Sequence, residues 1–212
     1  MEKIKLYGRE RICASFMNLK EKGKTLNLGA GEVLWIENEL FANNNQFISS
    51  DIEEKNLGKQ NKAKKKLVCS ATDIPLKNET LSQVILLDVL EHIKDHEKAL
   101  SEIYRVLKKK GRFIICVPND TLLSYLNPIR YLQHERHYTL QSITSLLKKH
   151  HYKIEKIHAG GKVWELADLY THLFMKYTIR KTKKFEFFNA LRDNEYAHHD
   201  PSGNEIAILA RK

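Results

Sequence analysis

Along this chain the apolar residues fall into short runs whose period switches between that of a helix and that of a strand. Ile12, Phe16 and Leu19 recur at helical spacing from Arg9 to Leu19, which predicts an amphipathic helix braced outside a sheet. Five strands are then predicted, over Lys24 to Leu28, Phe47 to Asp51, Lys66 to Cys69, Leu81 to Leu87 and Phe113 to Val117. In the fourth, Val84-Ile85-Leu86-Leu87 is apolar without alternation, as expected of a parallel strand covered on both faces. Helical patterns separate the strands. Val33 to Leu40 follows the first; Ala99, Leu100, Ile103 and Leu107 follow the fourth behind a capping Asp95, with Gly111 as the stop. Thr139 caps a further helix through Ile143, Leu146 and Leu147, and Tyr152 to Ile157 and Glu205 to Ala210 read as the sixth and seventh strands. Such alternation implies βαβ units and an α/β fold with a doubly wound sheet. Residues 1–212 read as one domain, with 1–23 a helical extension and 162–199 a helical insert before the last strand.

Ligands of doubly wound sheets bind beyond the carboxyl ends of the strands. Several chemistry-bearing residues fall just past predicted strand ends: the turn Gly29-Ala30-Gly31, Asp51 with Ile52, Thr72-Asp73-Ile74, Asp88 with His92, and Asn119. The glycine turn, ahead of a helix, is expected to bring bare backbone and a positive helix end to a ligand. One carboxylate such as Asp51 has the two acceptor oxygens needed for a pair of ribose hydroxyls. One edge of one sheet is therefore the expected site.

From Thr25 to Asn119 the sequence resembles the class I S-adenosylmethionine-dependent methyltransferases of small-molecule and glycoconjugate type. Leu26-Asn27-Leu28-Gly29-Ala30-Gly31 matches their glycine-rich turn, Asp51 their ribose-binding acid, and Ala71-Thr72-Asp73-Ile74-Pro75-Leu76 their adenine-side segment. Ser82 to His92 matches the fourth-strand segment, and Glu102 to Arg112 the helix and turn before strand five. The resemblance implies a Rossmann-like, mostly parallel seven-stranded sheet whose last strand is antiparallel. It also implies S-adenosylmethionine as cofactor. Asn27, Gly29, Ala30 and Gly31 would lie at its methionine end, Asp51 at the ribose and Thr72, Asp73 and Ile74 at the adenine, with Ile52 and Asp88 also among the cofactor-binding residues. Two departures stand out: Asn27 replaces a usual acid, weakening a contact to the methionine ammonium, and Val33 stands near a usual third glycine. Both leave open a non-catalytic binding domain. A nicotinamide-dependent oxidoreductase fits less well, because Val33-Leu34 breaks the spacing of its glycine fingerprint.

A hydroxyl acceptor needs a proton acceptor near neutral pH, which suits histidine. His92 is the first candidate by position; His134, His137 and Tyr138 follow strand five. Asp88, His92 and His96 stand at four-residue intervals and can be drawn as a metal triad, but no metal is expected there.

Composition narrows the setting. Apolar residues make up 42%, and no stretch approaches the ~20 needed to span a bilayer. Met1 to Lys5 lacks the apolar core of a signal peptide, and Cys13, Cys69 and Cys116 show no C-x-x-C spacing, so a reducing cytoplasmic location is expected. The net charge of +10 favours anionic partners. Within the insert, Leu166, Leu169, Tyr170, Leu173, Phe174 and Tyr177 recur at helical spacing, and Lys176, Arg180, Lys181, Lys183 and Lys184 follow. The stripe is expected to be a lid over a small-molecule or glycoconjugate substrate. Residues 166–188 also suit a peripheral membrane contact. RNA is the weaker alternative partner, since no appended RNA module is recognisable.

Overall fold

A computed structural model of the chain describes residues 6–31, 34–42, 44–132, 136–175, 178 and 186–212. Its strands are β1 Lys24–Leu28, β2 Phe47–Asp51, β3 Lys65–Val68, β4 Leu81–Leu87, β5 Leu107–Pro118, β6 Lys153–Gly160 and β7 Glu205–Arg211. They form one sheet in the order β3-β2-β1-β4-β5-β7-β6. All pairings are parallel except the two that β7 makes, antiparallel to β5 and to β6. This is the mostly parallel, Rossmann-like seven-stranded sheet with an antiparallel last strand that the resemblance implies, with helices between β6 and β7.

The unbroken apolar run of β4 has a direct cause. Val84 and Leu86 point into one core, with Leu26, Leu28, Phe113 and Ile115 of the neighbouring strands. That core is closed by α2 (His96–Val106) and α4 (Leu140–Lys149) through Leu100, Ile103, Ile143 and Leu147. Ile85 points the other way, joining Ile114, Cys116, Ala207 and Leu209 under α1 (Gly8–Phe16), which contributes Cys13 and Phe16. Both helices of the first core carry their expected caps: Asp95 accepts from the Lys98 amide at 3.0 Å and Thr139 from the Ser142 amide at 3.1 Å. The further α-helices among the described residues are α3 Pro128–Leu132, α5 Val163–Phe174 and α6 Glu186–Glu195.

Three boundaries differ from the sequence pattern. α1 stops at Phe16, so Leu19 stays 45% exposed while Met17 takes the buried place. α2 stops at Val106 and Leu107 already pairs with Leu81, after which the register shifts before Gln83 meets Arg112. The positive φ in that irregularity belongs to Lys110 (62°), whereas Gly111 is needed for close approach: a Cβ there would sit 2.8 Å from the Lys108 carbonyl oxygen. After β1 the described part of the predicted helix is a single π-helical turn, Ile36–Leu40. Val33, His134 and the basic residues Lys176, Arg180, Lys181, Lys183 and Lys184 lie outside the described residues.

Candidate active site

A cavity of about 780 Å³ opens at the carboxyl ends of β1, β2 and β4, where the strand order turns back on itself. Its wall begins with the glycine turn. Gly29 and Gly31 hold φ of 88° and 60°, which a residue with a Cβ adopts only at a cost. The Gly29 and Ala30 amides both donate to the Ser50 carbonyl, at 2.9 and 2.8 Å, and the Gly31 amide donates to Asp51 Oδ2 at 2.8 Å. These three N–H groups are therefore committed to β2, and what the turn gives the cavity is room rather than bare donors. The two glycines differ in what surrounds them. A Cβ on Gly29 would lie 2.4 Å from Val89 Cγ2, whereas one on Gly31 would meet nothing within 4 Å.

Asp51 ends β2 and is 6% exposed. Its Oδ2 takes the Gly31 amide and its Oδ1 takes the Glu53 amide at 2.8 Å, so the carboxylate is held in one orientation at the cavity wall. Each oxygen keeps a second lone pair, which suits a diol. Ile52 beside it lines the cavity and is 70% exposed, an apolar surface at the mouth. Ser70, Ala71 and Thr72 form the next stretch of wall, with Ser70 Oγ and Thr72 Oγ1 2.9 Å apart.

Asp88 follows β4 in a left-handed conformation (φ 54°) and also lines the cavity. Arg9, at the start of α1, reaches it at 2.8 Å and Glu205 of β7 at 3.5 Å. Asp88 above all keeps the Arg9 guanidinium charged, and one cation among two carboxylates leaves this corner net negative. Asp88, Cys116 and Glu205 are the described acids and thiols grouped closely enough to hold a metal ion, but the guanidinium already neutralises part of that group.

His92 ends the short 3-10 turn Leu90–His92 after β4, is exposed, and lines the cavity with Ile93 and Lys94. The other expected residues sit elsewhere. His96 Nδ1 lies 2.8 Å from the Tyr138 hydroxyl and 3.0 Å from Arg136, so it is not assembled with His92 and Asp88. Burial and then Arg136 lower its pKa. Tyr138 is 4% exposed within the core, and His137 Nδ1 contacts the Asn119 carbonyl at 3.3 Å; neither lines the cavity. Asn119 is tied to the loop before β7 through Pro201 and Gly203. Asp73 is exposed outside the cavity wall, and Ile74, at 1% exposure, is packed into the core rather than against a ligand. Its amide donates to Glu102 Oε2 at 3.0 Å and its carbonyl accepts from Arg105 at 2.8 Å, which fixes Asp73-Ile74-Pro75 as a turn docked on α2.

Two contributors were not singled out in the sequence. Arg9 reaches the cavity because α1 lies across it, a tertiary fact with no local signal. Glu37 had a signal: with Leu34 and Phe41 it forms a helical stripe otherwise apolar, and an acid there is buried by necessity. Glu37 is 0% exposed, and its Oε1 accepts from Asn27 Nδ2 at 2.6 Å and from Ser49 Oγ at 2.9 Å. Burial raises its pKa.

Residues 26–115 match the family described as "Methyltransferase domain". The matched segment is the one whose sequence resembles the class I S-adenosylmethionine-dependent methyltransferases. An uncharacterised protein of Methanocaldococcus jannaschii is 41% identical over 70 residues, 32% of this chain and 31% of that protein. The demethylmenaquinone methyltransferase of Streptomyces avermitilis is 44% identical over 46 residues, 22% of this chain and 20% of its own. The chain thus spans a third or less of the length of the curated relatives it matches. Among solved structures, a SAM-dependent methyltransferase from Archaeoglobus fulgidus superposes with a TM-score of 0.67 at 19% identity, covering 96% of this chain and 91% of that one.

Proposed function

We propose that this chain transfers a methyl group from S-adenosylmethionine to a hydroxyl of a small-molecule, saccharide or lipid-linked acceptor. The observation that carries this is the joint presence on one cavity wall of a clamped Asp51, the open Gly31 and the exposed His92. The residues suit the cofactor: Asp51 can accept a ribose diol, Ile52 can cover a base, and the net negative corner at Asp88 favours a sulfonium. When bound, the cofactor supplies an already activated methyl group. The protein's task is then to align the acceptor and remove its proton. His92 takes that proton. His137 and Tyr138 hold the chain after β5 in place. Cys13, Cys69 and Cys116 form no disulfide, which supports a cytoplasmic setting.

Calorimetry with S-adenosylmethionine and S-adenosylhomocysteine tests this directly. Asp51→Ala is expected to weaken both by about tenfold or more, since a buried acceptor pair is lost. His92→Ala is expected to keep cofactor affinity while turnover of a methylated acceptor drops by about a hundredfold. No heat with either ligand would leave neither enzyme nor cofactor-binding role standing.

A lipid-linked acceptor is favoured over a fully soluble one by exposed apolar side chains on the segments that leave the same sheet edge after β5 and β6. Leu122 is 91% exposed, Leu126 57% and Phe174 59%. The hydroxyl of Tyr170, on α5, donates to the Leu126 carbonyl, so the two segments form one surface.

A further inference from the structure

We infer that Glu37 makes the Asn27 end of the cavity selective for a positively charged ligand group, acting through the Asn27 amide as a positioning residue. The inference rests on the cavity being the cofactor site, and it names the charge that site recognises. Asn27 lines the cavity; Glu37 stands one hydrogen bond behind it. Because Asn27 Nδ2 donates to Glu37 Oε1 at 2.6 Å, the amide cannot rotate freely, and its carbonyl oxygen is directed away from Glu37. A donor held by a carboxylate also polarises the rest of its amide, strengthening that oxygen as an acceptor.

The wiring behind Asn27 keeps the arrangement fixed. Ser49, paired with Asn27 across β1 and β2, donates to the same Glu37 oxygen at 2.9 Å, and Asn61 Nδ2 donates to Ser49 Oγ at 2.8 Å. Glu37 Oε2 is buried with no hydrogen-bond partner among the described residues. No described lysine or arginine is paired with Glu37, and its one charged neighbour of note is Asp51, of like sign. A wholly buried carboxyl in that position is costly to keep unless a cation approaches when the cavity fills. The ammonium of an amino-acid tail seated at Asn27 is such a cation, arriving with the ligand rather than built into the fold.

The test compares S-adenosylhomocysteine, which carries that ammonium, with 5′-methylthioadenosine, which lacks the amino-acid tail. Both are titrated into the full chain by calorimetry. Glu37→Gln keeps the volume and the acceptor for Asn27, and it is expected to weaken S-adenosylhomocysteine by about tenfold while leaving methylthioadenosine within about twofold. Transposing the charge in the double variant N27D/E37Q is expected to restore S-adenosylhomocysteine binding to within a few-fold of the parent chain. Equal weakening of both ligands would mean that Glu37 only supports the turn, and unchanged affinities would mean that its charge is not felt; either result overturns the inference while leaving the proposed function intact. A parent chain that binds neither ligand removes the proposed function and this inference together.

Discussion

At Glu37 the interior holds a carboxyl that would ionise in water near pH 4.5, but burial raises its pKa in the folded chain. Below that reference value both folded and unfolded states keep the proton. Above it the unfolded chain ionises first, so the folded state binds more protons and stability falls as pH rises through the window from 4.5 to the raised folded value. Glu37→Gln removes this titration. The variant is expected to melt above the parent chain near neutral pH, with the gap closing as pH falls toward 4.5, read by circular dichroism melts across that range. A gap that stays constant with pH, or reverses, would mean that the carboxyl is not the source. Together with weaker S-adenosylhomocysteine binding, a more stable but less selective protein would be a local trade of stability for function.

At the scale of elements, legibility followed how local the determining physics is. β4 carries its own signal, since a parallel strand covered on both faces is apolar at successive positions, and Leu81–Leu87 is found where that pattern put it. Gly31, Asp51, Thr72, Asp88 and His92 line one cavity because they follow strand ends, and strand ends share an edge; Asp73 and Asn119, expected on that edge for the same reason, lie off the cavity wall. Ile74 was misjudged because a turn that meets a ligand and one that docks on a helix have the same sequence; the Glu102–Arg105 pair that claims its backbone lies about thirty residues on, out of reach of a local pattern. The insert hides a tertiary clamp of the same kind. Arg192 of α6, 7% exposed, bridges Glu165 at 3.0 Å and Asp168 at 2.9 Å, both on α5. On the same helix Asp193 accepts from the Gly8 amide at 2.9 Å, at the start of α1. Arg192→Met would strand two half-buried carboxylates, at a cost of about 3 kcal/mol. For a domain of this size that is a fall of about 6–12 °C in the melting temperature. A calorimetric melt unchanged by the substitution would show that the clamp is merely ornamental to stability.

For the whole molecule the question is what its +10 charge and its exposed apolar rim do together. No described helix is long and apolar enough to cross a membrane. Leu122, Tyr125, Leu126, Tyr131, Tyr170 and Phe174 are all half-exposed or more, a mixture of leucine and tyrosine that suits the boundary between headgroups and acyl chains. The sequence after α5 carries Lys176, Arg180, Lys181, Lys183 and Lys184 with no intervening acid. Each such cation near an anionic bilayer is worth about 1 kcal/mol, enough together to hold a domain at the surface without insertion. The chain is therefore expected to co-sediment with vesicles containing phosphatidylglycerol, to release from them as salt rises, and to ignore pure phosphatidylcholine. The double variant L122D/L126D is expected to lower vesicle binding by about tenfold or more while S-adenosylhomocysteine affinity holds, because the rim lies off the cavity wall. Salt-sensitive retention by tRNA with no vesicle binding would instead assign the same charge to an RNA acceptor, and indifference to both would leave the rim as a cover for small molecules alone.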